Sequence, residues 1–255
     1  MSLEWRLLEA EYNDPYLNMA LEEAVPTMVG RGVAPETVRL WRNIRAVAIG
    51  RFQHVESEVD LEACHRHGVE IVRRFTGGGA VYQDHGNLNY AISLRGDNPL
   101  LQGDILQDFQ SLSRGVISGL RRLGLKAEYG RNNLIHIDGL KISGIAGSSS
   151  DESFFQHGTL LVSTDLSILS EVLGDTGHVT TGRQGVQSVR SPVTSLRNAL
   201  GSEISLDAVR KALLEGFEEA LQVNLVSNRL LREEEEMARR LYETKYSKRE
   251  WNLQL

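Results

Sequence analysis

The sequence contains a single cysteine, Cys64, and no long apolar segment. One cysteine excludes an internal disulfide framework and is typical of a protein in a reducing cytosol. No apolar run approaches the roughly 20 residues that a membrane-spanning helix requires, and the N-terminus lacks the basic and then apolar pattern of a secretion signal. We therefore expect a cytoplasmic protein that does not cross a membrane.

Positive charge is also scarce. The 255 residues include 28 Lys and Arg against 34 Asp and Glu, which gives a formal net charge of −6. This balance argues against a general nucleic-acid binder, because such proteins carry an excess of basic residues. Any anionic ligand must instead meet a local cluster of basic groups. The seven histidines and the one cysteine show no zinc spacing, which disfavours a metal enzyme.

Short apolar and β-branched runs alternate with amphipathic helical patterns along the chain. Apolar residues spaced by three or four over 105–123 predict a long helix, and Asp138-Gly139 between two apolar runs predicts a hairpin. Residues 174–191 are rich in Gly, Ser and Thr and predict a loop. The order of elements predicts an α+β fold with a mixed, largely antiparallel sheet flanked by helices. We expect one domain over 1–255 with a small helical C-terminal part from about 203. Further strands are predicted at 38–41, 46–49, 69–72, 80–82, 88–94 and 158–163. Further helices are predicted at 17–28, 61–67, 207–221 and 232–246.

The most informative stretch is the glycine triplet Gly77-Gly78-Gly79 and the two arginines before it, Arg73 and Arg74. Three glycines between two strand patterns allow the backbone to approach a ligand and to adopt positive φ, and their N–H groups can surround an anion. The arginines add planar, charged donors that suit phosphate. From these residues alone, a glycine-rich hairpin with two solvated arginines is an equally good interpretation. The spacing matches neither a P-loop nor a Rossmann glycine motif.

A second candidate segment surrounds Lys141, just past the tight turn predicted at Asp138-Gly139. Taken by itself, this lysine is better interpreted as a surface residue of an edge strand. The functional alternative is that its ammonium bridges an attacking carboxylate and the α-phosphate of ATP, where it would neutralise charge as it develops.

Together these segments resemble the lipoate–protein ligase A family, within the wider class of biotin and lipoyl attachment enzymes. The family pattern Arg-Arg-x-Ser/Thr-Gly-Gly-Gly-Ala-Val, then an aromatic, His-Asp and Gly-Asn, is met from Arg73 to Asn87 at every position except Gln83. The resemblance covers most of the chain and implies a biotin/lipoate ligase-like catalytic domain. Further matches, in the same order, are Trp41-Arg42-Asn43, Gly50-Arg51-Phe52-Gln53, Lys141-Ile142-Ser143-Gly144, His157-Gly158-Thr159, Ser188-Val189-Arg190-Ser191 and Trp251-Asn252.

The resemblance implies a ligase with two half-reactions in one pocket. Lipoate, or its precursor octanoate, and Mg-ATP would give an acyl-adenylate and pyrophosphate, with Lys141 in contact with both the acyl carboxylate and the phosphate. A lysine of an acceptor lipoyl domain or glycine-cleavage H protein would then attack the mixed anhydride. The implied nucleotide contacts are Arg74, Gly79, Ala80, Val81, Tyr82, Asn87, Asn132 and Lys141, and the implied acyl contacts are Gly77, Gly78 and His157.

Three features depart from the family's usual pattern. Gln83 stands where the family usually has histidine, and Pro192 stands where it more often has arginine. Many members also carry an additional C-terminal domain, which this chain, ending at Leu255, lacks. We therefore expect the short form of the family, working alone or with a separate small accessory protein.

The expected acceptor is acidic, and this chain is acidic as well. Docking would therefore rely on a few local cations near the pocket mouth rather than on overall charge. The candidates are Arg42, Arg45 and Arg51.

Two alternatives stay open. An octanoyltransferase of similar fold would form a thioester on a cysteine, for which Cys64 is the one candidate; its place in the helical pattern 61–67 is more typical of a small buried hydrophobe. The second alternative is a relative that binds lipoate without adenylating it.

Overall fold

The structure, a computed structural model, describes residues 3–174 and 186–253, and within these ranges it contains eleven strands and nine α-helices. The strands are β1 (Leu3–Leu8), β2 (Thr37–Trp41), β3 (Ala46–Ile49), β4 (Glu70–Arg73), β5 (Val81–Gln83), β6 (Asn87–Arg95), β7 (Ala127–Gly130), β8 (Leu134–Ile137), β9 (Leu140–Ser149), β10 (Ser153–Leu161) and β11 (Val223–Ser227). The helices are α1 (Pro15–Gly30), α2 (Val55–Glu58), α3 (Leu61–His67), α4 (Ile105–Arg122), α5 (Leu166–Val172), α6 (Leu196–Leu200), α7 (Leu206–Leu221), α8 (Arg232–Leu241) and α9 (Arg249–Asn252).

Eight strands form one large sheet in the order β11-β1-β2-β6-β10-β9-β8-β7, and three form a small sheet in the order β4-β3-β5. In the large sheet β1 lies parallel to β11 and β2, and all its other neighbouring pairs are antiparallel. In the small sheet, the central strand β3 pairs in parallel with β4 and antiparallel with β5. This arrangement confirms the predicted α+β fold with a mixed, largely antiparallel sheet.

Helix α1 lies between the two sheets, and this placement creates the space for a site. One face of the large sheet packs against α4 and α7, as in the contact between Tyr90 and Phe217. On the other side, α1 packs with α8 and with Ala48 and Val72 of the small sheet. The far face of the small sheet is covered by α3 and α5. No helix within the described ranges is both long and apolar enough to cross a membrane.

Helices α1 and α3 lie where the sequence predicts them, although α1 spans Pro15–Gly30 instead of 17–28. Helix α1 begins after Asp14, whose Oδ1 accepts hydrogen bonds from the N–H groups of Tyr16 and Leu17, at 2.8 and 3.2 Å. Helix α3 spans Leu61–His67 as predicted and ends at Gly68 in the left-handed conformation. Of the predicted loop 174–191, residues 175–185 lie outside the described residues, and 186–191 form no helix or strand.

Strand β10 differs from its predicted bounds, because it spans Ser153–Leu161 instead of 158–163. Its first half contains Gln156 and His157, which are buried in the sheet yet polar, so the segment lacks the apolar pattern of a buried strand. Side-chain hydrogen bonds compensate for their burial; the Gln156 amide, for example, donates to Ser113 Oγ at 3.0 Å. Strands β1, β7 and β11 were not predicted.

The residues beyond 203 join the cores formed by the rest of the chain. Helix α7 packs against α4, and β11 pairs with β1 at the edge of the large sheet. The Nη1 and Nη2 atoms of Arg6 on β1 donate to the carboxylate of Glu234 on α8, at 2.7 and 2.5 Å. Both side chains are almost completely buried, so this ion pair fixes α8 to the sheet.

We predict that Glu234→Ala lowers the free energy of unfolding by about 3–5 kcal/mol, because it leaves the buried Arg6 guanidinium without its counter-ion. Glu236, two residues along the same helix, forms an exposed pair with Arg232 and is the matched control. Glu236→Ala should cost at most about 1 kcal/mol. Urea unfolding measures both, and equal losses would contradict this role of Glu234.

Candidate active site

A cavity of about 270 Å³ opens between the large sheet, helix α1 and the glycine loop. Its apolar walls include Met19 from α1 and Trp41 from β2. The cavity brings together residues that are far apart in the sequence. Eight of the predicted site residues line it: Arg74, Gly78, Gly79, Ala80, Val81, Asn132, Lys141 and His157.

The three other predicted residues do not line the cavity. Gly77 lies under the ring of Phe52, with its would-be Cβ 3.8 Å from Cδ2 of that ring. Tyr82 is buried among apolar residues on the far side of the small sheet, because side chains alternate along β5 and Val81 takes the cavity side. Asn87 is completely buried, and its Oδ1 accepts the N–H of Asp84 at 2.8 Å in a turn.

The glycine loop folds around the guanidinium of Arg74. Nη1 donates to the carbonyl of Ala48 at 2.8 Å, and Nη2 donates to the carbonyls of Gly77 and Gly79 at 2.7 and 2.8 Å. Gly78, between these two acceptors, has a φ of +87°, a conformation that glycine adopts without strain. Arg74 therefore holds the loop through its backbone carbonyls.

Burial changes the electrostatics of Arg74. The side chain is only 4% exposed. Desolvation lowers the pKa of the guanidinium to about 10, and the nearby negative charge of Glu22 partly offsets this decrease. A group with this pKa is still cationic at neutral pH. The cavity wall therefore carries a fixed positive charge whose hydrogen bonds go to neutral oxygens.

A chain of hydrogen bonds links helix α1 to Arg74. Nδ1 of His157 lies 2.9 Å from Oε1 of Glu22, and Nε2 of the same ring lies 2.8 Å from Oγ1 of Thr76. Thr76 Oγ1 in turn accepts from Nε of Arg74 at 3.1 Å. Because a carboxylate can only accept, Nδ1 of His157 donates to Glu22, and both ring nitrogens have a hydrogen-bond partner. The imidazole is thus fixed in orientation at the cavity wall.

Lys141 is the second cation of the cavity. Its backbone is fixed by the segment beyond 191, because its N–H donates to the carbonyl of Pro192 at 2.8 Å and its carbonyl accepts from Thr194 at 2.9 Å. Burial and the positive charge of Arg74 both lower the pKa of its ammonium. Among the described residues, no carboxylate or other hydrogen-bonding group contacts Nζ. A half-buried cation without a counter-ion makes this end of the cavity a place for an anionic ligand.

Gln83, the first departure from the family pattern, is a structural part of the cavity wall. Its Oε1 accepts from Nδ2 of Asn43 at 2.8 Å, and its Nε2 donates to Asn89 Oδ1 and Thr159 Oγ1 at 3.0 and 2.9 Å. An amide can donate and accept at the same time, and all of these groups are buried. Gln83 therefore joins β5 to the large sheet where the family usually has an imidazole.

Glu22 is the site residue that sequence reasoning missed. Among the described residues it is the one carboxylate that lines the cavity, and it is 2% exposed. The sequence offers one signal for Glu22. It lies on α1 between the apolar residues Leu21 and Ala24, both buried, and a charged side chain at such a position requires a partner.

The segment after residue 185 covers the glycine loop. Ser188 Oγ accepts from the N–H of Ala80 at 2.9 Å and from Nε2 of Gln53 at 3.0 Å, and the N–H of Ser188 donates to the Glu58 carboxylate at 3.2 Å. The backbone N–H of Ala80 is thus bonded to a hydroxyl in this structure.

Cys64 lies apart from this cavity. It is 2% exposed in the apolar cluster beneath α3, and burial raises the pKa of its thiol to about 11. A thiol with this pKa is protonated at neutral pH and is a poor nucleophile. In the part of the chain that the structure describes, no group of three or more His, Cys, Asp or Glu is placed to hold a metal ion.

Comparison with known proteins identifies close relatives of two kinds. Residues 14–218 match the family model described as the lipoyl protein ligase A/B catalytic domain. The chain is 34% identical to the lipoate-protein ligase A subunit 1 of Thermoplasma acidophilum, over 99% of this chain and 98% of that protein. It is also 31% identical to the octanoyltransferase LipM of Symbiobacterium thermophilum, over 99% of both chains.

Three solved structures share this fold. The T. acidophilum protein Ta0514 with bound lipoic acid superposes with a TM-score of 0.86 at 33% identity, over 98% of this chain and 100% of that one. A lipoate-protein ligase A bound with ATP has a TM-score of 0.84 at 33% identity, over 99% of both chains. A bi-partite lipoate protein ligase studied with its E2 lipoyl domain, also from T. acidophilum, has a TM-score of 0.84 at 34% identity, over 98% of this chain and 96% of that one.

The packing of the glycine loop predicts which glycines are required. A Cβ on Gly50 would lie 2.0 Å from the carbonyl oxygen of Gly78, whereas a Cβ on Gly77 would meet only the Phe52 ring at ordinary distance. Gly50→Ala should therefore lower the free energy of unfolding by about 1–3 kcal/mol, and Gly77→Ala should change it by less than about 1 kcal/mol. Urea unfolding of the two variants tests this order, and a larger loss for Gly77→Ala would contradict it.

Proposed function

Because the chain belongs to the lipoyl protein ligase A/B catalytic-domain family, we propose that it uses ATP to activate lipoate or octanoate and transfers the acyl group to a lysine of a lipoyl-domain acceptor. The observation that carries this proposal is the ammonium of Lys141, which is without a counter-ion among the described residues and shares one cavity with the glycine loop held by Arg74. The ATP-bound and lipoic acid-bound structures of the relatives support it.

In the first half-reaction, a carboxylate oxygen of the fatty acid attacks the α-phosphorus of Mg-ATP. The bond from that phosphorus to the bridging oxygen breaks, and pyrophosphate leaves with the magnesium ion that entered with ATP. Both reactants are anionic, so the main obstacles are repulsion and alignment. Lys141 contacts the carboxylate and the α-phosphate together and offsets the charge on both. The carboxylate of Glu22 is bound to His157 and takes no part in this step.

In the second half-reaction, the neutral amine of the acceptor lysine attacks the acyl carbonyl carbon of the adenylate. The bond from that carbon to the phosphate oxygen breaks, AMP leaves, and the amine loses one proton to solvent to give the amide. Lys141 stays beside the carbonyl oxygen and the phosphate, where negative charge develops in turn. The same side chain thus serves both steps.

The acyl chain would lie against the apolar walls of the same cavity. Met19, Trp41 and Ile145 are among these walls, and they suit a hydrocarbon chain of medium length. His157, fixed by Glu22 and Thr76, and the backbone of Gly78 are the other proposed acyl contacts. The proposed nucleotide contacts are Arg74, Gly79, Ala80, Val81, Asn132 and Lys141, all of which line the cavity.

The partners of the relatives guide the proposal for this chain. One neighbour is a bi-partite ligase studied with its E2 lipoyl domain, and the matched relative is a subunit. We therefore propose a lipoyl domain as the acceptor, with H protein as a second candidate of the same chemistry. By analogy with the bi-partite relative, we also propose that a separate accessory subunit works together with this chain.

Octanoyl transfer without ATP is the second candidate function, because LipM is similar to this chain over its whole length. A transferase that forms a thioester needs a cysteine at the reacting carbonyl. The one cysteine of this chain is Cys64, which is buried away from the cavity lining and has a raised pKa. The position of this thiol favours adenylation.

We predict that Lys141→Ala lowers lipoate-dependent ATP–pyrophosphate exchange by at least about a hundredfold, because it removes the cation that offsets the charge of both reactants. Stability should not fall, since the side chain forms no ion pair among the described residues. Lys211→Ala removes an exposed lysine of α7 and is the control for loss of one positive charge. Exchange at a near wild-type rate in Lys141→Ala would show that this lysine has another role.

Cys64→Ala should leave acylation of a lipoyl domain within about twofold of wild type, because the thiol is buried and protonated. The measurement is the initial rate of acyl transfer, with circular dichroism to verify folding. More than a tenfold loss in a folded variant would support the thioester mechanism instead.

A further inference from the structure

The rim of the cavity carries an exposed, largely apolar patch that has no role in the proposed acylation steps. Phe52 is 61% exposed, Val186 52% and Val189 62%. Val186 and Val189 also line the cavity, so the patch borders its opening directly. Arg51 lies beside Phe52, with its guanidinium carbon 5.6 Å from the ring centroid. We call Arg51, Phe52, Val186 and Val189 the mouth patch.

The backbone that bears Phe52 is held in place. The guanidinium of Arg73 donates to the carbonyls of Gly50 and Gln53, at 2.9 and 2.7 Å, on either side of this residue. The carbonyl of Phe52 itself accepts from the N–H of Val186 at 3.2 Å. An aromatic side chain on a fixed backbone loses little conformational entropy when a partner covers it. Phe52 thus has the properties of an interface anchor.

Arg51 distinguishes the mouth patch from the other candidate docking arginines. Arg42 is paired with Glu11 at 2.8 Å, and Arg45 donates to the carbonyl of His67 at 3.2 Å. No carboxylate of the described residues pairs with Arg51. The charge of Arg42 is thus compensated by Glu11, whereas Arg51 has no such partner and lies beside the exposed ring of Phe52 at the cavity opening.

We propose that the mouth patch is the docking surface for the lysine-bearing acceptor domain, which would place an apolar side chain against Phe52 and a carboxylate against Arg51. This inference rests on the proposed acyl transfer. The acceptor lysine must enter past Val186 and Val189 to reach the carbonyl near Lys141, so the surface around that lysine lies against the rim. With a net charge of −6 the chain as a whole repels an acidic domain, and a local cation at the point of contact offsets that repulsion.

The test compares Phe52→Ser and Arg51→Glu with matched changes elsewhere. Leu106→Ser alters a side chain on α4 that is 59% exposed, and Arg31→Glu reverses an exposed arginine at the end of α1. Two rates are measured for each variant: lipoate-dependent ATP–pyrophosphate exchange, and acylation of an E2 lipoyl domain as a function of its concentration. The first needs no acceptor, and the second does.

Phe52→Ser should raise the KM for the lipoyl domain and lower kcat/KM by at least about tenfold, with exchange within about twofold of wild type. Phe52→Tyr should restore most of the loss, because the ring is kept. Arg51→Glu should lower kcat/KM severalfold at low salt, and the difference should shrink as salt is raised. Both controls should resemble wild type.

Unchanged acceptor kinetics in Phe52→Ser and Arg51→Glu would overturn the docking proposal, and so would an equal loss of exchange and transfer. A wild-type protein without exchange would instead overturn the proposed function. The same variants would then be compared in octanoyl transfer from an acylated carrier domain to the lipoyl domain. An acceptor-specific loss there would support the docking surface, and its absence would overturn it.

Discussion

The burial of Arg74 is the interaction on which the site depends. A buried guanidinium needs hydrogen-bond acceptors, and here the backbone carbonyls of Ala48, Gly77 and Gly79 accept from Arg74, together with Oγ1 of Thr76. Carbonyls can turn towards one side chain only if the loop makes a tight curve, and Gly78 provides the positive φ for it. The glycine loop is therefore shaped by the arginine that precedes it.

The same arginine connects the loop to the rest of the fold. Through Thr76 and His157 it is linked to Glu22 on helix α1, which lies between the two sheets. Its charge also acts on Lys141, whose pKa is lowered by burial and by this neighbour. Two cations in one cavity destabilise each other until an anion enters. Binding of an anionic ligand would relieve this repulsion.

Much of the fold could be predicted from local patterns, and the exceptions have physical reasons. Helix α3 spans its predicted residues, and the hairpin of β8 and β9 turns at Asp138-Gly139 as predicted, although β9 continues beyond the predicted 140–143 to Ser149. Strand β1 was missed because it contains Arg6, whose burial makes sense only with Glu234, far away in the sequence. The first half of β10 was missed because it contains Gln156 and His157, whose hydrogen-bond partners are also far away in the sequence.

A sequence motif can indicate site residues that lie close together in the chain. Which of their side chains reach the cavity, and which distant residues join them, depends on the packing of the fold. Arg74, Gly78 and Gly79 of the glycine motif line the cavity, whereas strand alternation turns Tyr82 away from it. Glu22 lies in a helix that gives no motif signal, and its role depends on His157 from another strand.

The formation of an acyl-adenylate by the wild-type protein is the most direct test of the central claim. ATP–pyrophosphate exchange is measured with lipoate, octanoate and biotin side by side, without an acceptor. An adenylate-forming site centred on Lys141 predicts exchange that depends on lipoate or octanoate and is absent with biotin. The absence of exchange with all three acids, together with octanoyl transfer between carrier domains in the absence of ATP, would contradict it.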